Sequence, residues 1–288
     1  MNTPRPSAEF TDLPSMPRSM LRALAMRRPG LDDIDALGRH EVLLRDYTID
    51  KQHVRKYREV CSSGPGVPIT YPQLLSTALH LHLLTAPSFP LPVMGLVHPR
   101  LRLTQHRPLQ VGERIEIIAF INEGRRVPKG IEFNLGTELR VDGELVWESS
   151  AATFRRLPKQ SAKSPKVAPL PQPVWEYQRA LSFPADAGRK YAKVSSDFNP
   201  VHLHPLSARL FGYRKPIGHG WWLLARILGV LGQDNPPEKS QVIAEFRRPI
   251  WLPSTMELVR SRQAEQLLWG VRDPIEKDKM RIEGRIQS

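Results

Sequence analysis

The sequence predicts an α+β fold built twice over, each copy a curved antiparallel sheet wrapped around one central helix. Three observations carry that reading. Two long apolar helical segments, residues 72–86 and 219–233, lie in different halves of the chain, each followed by strand-like segments. The halves echo one another in the same order. Tyr57-Arg-Glu-Val-Cys-Ser-Ser63 parallels Tyr191-Ala-Lys-Val-Ser-Ser-Asp197. Pro68-Ile69 and Pro216-Ile217 each precede an apolar run, and Arg107-Pro108 and Arg248-Pro249 each precede a strand-like segment. Between the halves, residues 157–173 carry five prolines and three lysines among small polar residues, a composition that favours an extended linker over a core element. The boundaries that follow are 1–156, a linker at 157–173, and 174–288.

Taken in order, the chain opens with Arg5, Arg18, Arg22, Arg27 and Arg28 interspersed with leucines and methionines. Glu9 and Asp12 interrupt this stretch, and prolines at 4, 6, 14 and 17 break an early helix, so it reads as a basic N-terminal arm or short helix docked on the first unit. The helix at 72–86 comes next. Segments 113–121, 129–141 and 144–155 alternate as strands, with Asp142-Gly143 as a hairpin turn. In the second half, strands are expected at 241–250, 255–263, 266–273 and 279–288. The helix at 219–233 is apolar nearly all round, from Trp221, Trp222, Leu223 and Leu224 to Ile227, Leu228, Val230 and Leu231. Such a helix must be enclosed rather than laid on a surface. A curved sheet around a buried helix is the hotdog arrangement, here expected as a double hotdog.

Composition narrows the function. The net charge is +13, which attracts polyanions, an acidic carrier protein or a phosphorylated ligand among them. No helix-turn-helix, zinc-finger or aromatic RNA-binding pattern accompanies the charge, so no nucleic-acid partner is expected. A single cysteine, Cys61, excludes an intrachain disulfide and suits a reducing compartment, the cytoplasm. No apolar run is long enough to span a bilayer. No phosphate loop or dinucleotide fingerprint is present. His80 and His82, like His202 and His204, are two residues apart with no cysteine cluster nearby, so neither a metal nor a cofactor is expected.

The chemistry is concentrated between Tyr191 and Trp222. Asp197, Asn199 and His202 place an acid, an amide and an imidazole within six residues. An imidazole exchanges protons near neutral pH, and a carboxylate beside it can orient a water. Taken alone, Asp-Phe-Asn-Pro fits turn chemistry equally well. Gly218-His219-Gly220 opens the enclosed helix, whose free N–H groups and positive dipole end suit a developing oxyanion.

The stretch 191–222 resembles the MaoC-like, or type 2, (R)-specific enoyl-CoA hydratases and acyl dehydratases. It holds Tyr191, then Ser195-Ser196-Asp197-Phe198-Asn199-Pro200-Val201-His202, then Ala208, then Pro216-Ile217-Gly218-His219-Gly220. The departure is Ser196, where the family has glycine. The resemblance implies a hydro-lyase that reversibly hydrates a trans-2-enoyl thioester of CoA or carrier protein to the (R)-3-hydroxyacyl thioester, with no cofactor consumed. It implies Asp197 and His202 as the catalytic pair, Gly220 N–H as the oxyanion donor, and Asn199, Ser196 and His219 in support. The first half has Ser63-Gly64-Pro65-Gly66-Val67 where the acid and histidine would stand, and so is a degenerate copy that shapes the acyl pocket. The acyl chain is expected beside the 219–233 helix, between the halves. Arg247 and Arg248 are candidates for the CoA phosphates, with closure of the preceding strand as their other reading. The sequence allows a homodimer. Two other functions stay open: a hotdog acyl-CoA thioesterase, and a non-catalytic acyl-CoA-binding or scaffold protein.

Overall fold

The computed structural model describes residues 6–26, 28, 37, 40–157 and 173–287. The first half contains β1 (Ala8–Phe10), α1 (Met16–Ala25), β2 (His40–Thr48), α2 (Lys51–Cys61), α3 (Tyr71–Leu84), β3 (Leu96–Gln105), β4 (Arg114–Val127), β5 (Gly130–Val141) and β6 (Glu144–Arg156). The second contains β7 (Tyr177–Phe183), α4 (Ala187–Ser195), α5 (Pro205–Leu210), α6 (Gly220–Leu231), β8 (Ser240–Phe246), β9 (Ser254–Gln263), β10 (Gln266–Arg272) and β11 (Met280–Gln287). Of the linker, only Leu157 and Pro173 lie within the described residues.

Among the described residues the strands form one sheet in the order β1-β2-β4-β5-β6-β3-β8-β11-β10-β9-β7. The strands of the first half occupy one side and those of the second half the other. Their seam is the antiparallel pair β3–β8, in register from Arg100↔Glu245 to Gln105↔Ser240. Every other neighbouring pair is antiparallel too, except the short parallel contact of β1 with β2, which the sequence did not signal. The expected fold is therefore present, with its two sheets continuous.

Local chemistry accounts for the strand ends. Asp142 and Gly143 both take positive φ, 49° and 83°, as a tight hairpin between twisted strands requires. β4 runs past the expected end at residue 121, because a register shift between Asn122 and Arg125 absorbs the break in alternation. β8 stops at Phe246, short of the expected 250. There the N–H groups of Arg247 and Arg248 both turn to Arg281 O, and Pro249 has no N–H to continue a ladder.

The two central helices sit in the concavity. On α3, Tyr71, Leu74, Leu75, Leu79 and Leu83 are buried, and on α6, Trp222, Leu223, Leu224, Ile227, Leu228 and Leu231. Both belong to one continuous apolar core. Burying a large aliphatic side chain in this way stabilises by roughly 1.5–3 kcal/mol each. Polar contacts lock the halves in register. Trp222 Nε1 donates to Val60 O at 3.0 Å, Arg226 to Ser62 Oγ at 2.7 Å, and Gly64 N to Asp234 Oδ2 at 2.6 Å. α2 and α4 pack together, with the rings of Tyr57 and Tyr191 6.3 Å apart.

The repeat survives in backbone detail. α2 ends on Ser62 at φ 56°, ψ 42°, and α4 ends on Ser196 at φ 58°, ψ 13°. Both are left-handed helix caps, a conformation glycine adopts without a Cβ penalty. The glycine that the resemblance places at 196 thus has a structural reason, and serine adopts the same bend here.

Candidate active site

The left-handed cap at Ser196 throws the chain out of α4 and into Asp197. A sequence of local bonds then shapes the turn. Asp197 N donates to Ser195 Oγ at 3.2 Å, Asn199 N donates to Asp197 Oδ1 at 3.2 Å, and Val201 N donates to Asn199 Oδ1 at 3.3 Å. Asn199 thereby caps a 3-10 turn over Pro200–His202 that starts on proline. The turn-chemistry reading of Asp-Phe-Asn-Pro is correct as local structure, and the same turn carries His202 back beside Asp197.

A second segment, Pro216–Gly220, meets it. Ile217 N donates to Val201 O at 3.2 Å, and the His202 Nδ1 proton is donated to Ile217 O at 2.8 Å. Gly218 N donates to Ile250 O at 2.9 Å and Leu252 N to Pro216 O at 2.8 Å, which anchors this segment on the chain before β9. Because Nδ1 of His202 carries the proton, its Nε2 presents a lone pair. His219 is the N-cap of α6, and its Nε2 donates to the backbone oxygen of Asp197 at 3.1 Å. The His202 and His219 rings stack at 3.8 Å with an interplanar angle of 29°. Gly220 is the first residue of α6, where no earlier helical carbonyl can accept its N–H.

Electrostatics keep both imidazoles neutral. Burial lowers the His202 pKa below the ordinary 6.5, against the opposing pull of the Asp197 charge and the Ile217 carbonyl. His219 is lowered well below that value, first by burial and then by His202 beside it. A neutral His202 can accept a proton.

Asp197, His202, Asn199 and Gly220 all border one cavity of about 510 Å³. Ser196 lies behind it and acts on it through the backbone. The cavity continues along α3, past Thr77, His80 and Leu84, and reaches Met16 and Met20 of α1. On α6 it touches only the first turn, Gly220, Trp221 and Leu223. The cavity thus lies between the halves and meets the second central helix at its first turn, while its greater length follows α3. Beyond its first turn, α6 packs Leu224, Ile227, Leu228 and Leu231 into the core.

Asp197, His202 and His219 each offer one ligand-capable atom, all within 4.8 Å of one another. A divalent ion tolerates that spacing. Of the two ring nitrogens of His219, Nε2 is engaged by the Asp197 backbone oxygen. Arg247 is engaged by Glu245 and Glu283, which supports its structural reading, while Arg248 is exposed.

Two residues of the site had no assigned part. Gly188, in the first turn of α4, lies so close to the 3-10 turn that a Cβ would stand 1.9 Å from His202 O. His98 lies in β3 and borders the cavity.

An acid and an imidazole thus lie on one turn beside the N-terminus of an enclosed helix, the arrangement that the MaoC-like resemblance implies. Residues 163–250 match the family described as "MaoC like domain". It is 29% identical over 248 residues to 3-hydroxyacyl-thioester dehydratase X of Mycobacterium tuberculosis, covering 85% of this chain and 88% of that protein. Over 65 residues it is 35% identical to the (R)-specific enoyl-CoA hydratase of Aeromonas caviae, covering 22% of this chain and 48% of that protein. The crystal structure of HtdX from Mycobacterium tuberculosis shares the fold at a TM-score of 0.73 and 24% identity, covering 86% of this chain and 99% of that one.

Proposed function

We propose that this chain reversibly hydrates a trans-2-enoyl thioester to the (R)-3-hydroxyacyl thioester, acting as a hydro-lyase. The observation that carries this reading is the meeting of the Asp197 carboxylate, the unprotonated nitrogen of His202 and the N-terminus of α6 at one cavity wall. Asp197 and His202 hold one water between them. His202 Nε2 takes a proton as the water oxygen bonds to C3, and a proton is returned to C2, so the elements of one water are added across the double bond. The thioester oxygen, enolate-like in the transition state, accepts from Gly220 N–H, where the helix N-terminus favours negative charge. Asn199 and Ser196 hold the turn, and His219 fixes the position of Asp197 through its backbone oxygen. No step uses a metal or an organic cofactor.

Residues 1–156 and 174–288 are the two units in this reading, joined by 157–173, with only the second carrying the acid and the histidine. Among the described residues no helix is long and apolar enough to cross a membrane. The single buried thiol of Cys61 supports a cytoplasmic setting. The activated acyl group is carried by CoA or a carrier protein, and a homodimer fits the same reading.

Loss of the enoyl-thioester absorbance of crotonyl-CoA and longer trans-2-enoyl-CoAs tests it. Asp197→Asn and His202→Ala are each expected to lower kcat/KM by about 10²–10⁴-fold. Release of free thiol from a saturated acyl-CoA would instead identify a thioesterase. Tight binding without turnover, unaffected by His202→Ala, would identify a binding protein.

A further inference from the structure

The face that α3 turns to the cavity carries a polar stripe beside Leu81 and Leu84. Gln73, Thr77 and His80 follow one another at helical spacing on a helix otherwise rich in leucine, and all three border the cavity. α6 has no such stripe. Its residues beyond the first turn, such as Leu224, Ile227 and Leu228, are packed into the core. A saturated hydrocarbon chain gains nothing from amide and imidazole groups along its wall, and leucine would cost less to bury.

The hydrogen bonds of the two histidines fix what they offer. His80 Nε2 lies 2.9 Å from Gly136 O, and a carbonyl only accepts, so Nε2 carries the proton and Nδ1 the lone pair. His98 Nδ1 lies 3.0 Å from Thr153 Oγ1. That hydroxyl already donates to Ala151 O at 3.1 Å, so it accepts from His98, whose Nε2 is left with the lone pair. Burial pushes both imidazoles down to about 4, so both are neutral acceptors at physiological pH. The two rings are close enough to influence one another, and His98 also feels the charge of Asp197. Among the described residues neither lone pair has a donor. Gln73 adds a donor further along the wall, since Ser149 Oγ donates to its Oε1 at 2.7 Å and its amide hydrogens have no acceptor among the described residues.

We infer that the acyl chain accepted by this cavity carries a hydroxyl group beyond the reacting carbons, and that its O–H donates to His98 or His80. A hydroxyl fits better than a keto oxygen, which could not donate to either imidazole. His80 and His98 are thus specificity determinants contributed by the half that lacks the acid and the histidine. This inference rests on the proposed thioester-binding site but not on its turnover.

Binding of saturated ligands tests it separately from hydration. Isothermal titration would compare decanoyl-CoA with a set of decanoyl-CoAs hydroxylated at successive carbons along the distal half of the chain. For at least one hydroxyl position the wild-type protein is expected to bind about tenfold tighter than it binds the plain chain. His98→Leu and His80→Leu, checked for an unchanged near-UV dichroism spectrum, should erase or reverse that preference, and His98→Gln should restore part of it. Equal affinity for the plain chain and every hydroxylated one would overturn the inference. So would a preference that survives both leucine substitutions. Because the ligands are saturated, failure to hydrate crotonyl-CoA would count against the hydratase reading alone.

Discussion

Burial favours the neutral form of His202 and the Asp197 charge favours the imidazolium, so these two influences pull in opposite directions. Burial is the larger, so the pKa lies below 6.5. In the proposed mechanism the imidazole must be unprotonated to accept from water. The acid limb of the kcat/KM–pH profile is therefore expected below 6.5, with activity lost as pH falls through it. Asp197→Asn removes the charge that favours the imidazolium, so the His202 titration followed by NMR should move lower still. An acid limb at or above 6.5 would contradict this account of the site.

α4 matters through where it ends and how closely it can be approached. Its left-handed cap aims Asp197, and Gly188 lets the 3-10 turn lie against it. Gly188→Ala should improve helix propensity yet push the His202 backbone outward, since the added methyl has no room. A displacement of about 1 Å at a catalytic group costs on the order of 100-fold. We expect kcat/KM to drop by about that factor with the far-UV dichroism unchanged, and wild-type kcat/KM would refute the positioning role. The elements differ in how openly they announce themselves. The two central helices, the hairpin at Asp142-Gly143 and the motif from Asp197 to Gly220 were legible, because apolar runs, turn residues and spaced polar groups are local signals. β1 was not, since three residues joining an edge by backbone bonds leave no side-chain pattern. The course of the cavity was not legible either, because it depends on which faces of α3 and α6 the sheet covers. The stripe of Gln73, Thr77 and His80 was visible in the sequence, but its meaning required the neighbouring strand that brings His98.

At the scale of the whole molecule, buried neutral histidines tie stability to pH. His80 is held at about 4 in the folded protein, against an ordinary 6.5 in the unfolded chain. Between those values the unfolded chain binds the proton and the folded one does not, so stability falls as pH is lowered from 6.5 towards 4. For His80 the loss is about 3 kcal/mol by pH 4. Urea denaturation at a series of pH values should show this slope, and His80→Gln should make it shallower. An unchanged slope would mean the ring is hydrated in the native state. The seam between β3 and β8 has a different consequence. Because both of its strands belong to one polypeptide, they meet at an effective concentration set by the tether, in the millimolar range for short flexible connections. A cleft shared by two separate subunits would fall apart on dilution. Here the half proposed to supply the proton-transfer groups and the half proposed to line the acyl chain stay together however scarce the protein becomes, which leaves the first half free to change its lining without having to preserve a partner's affinity.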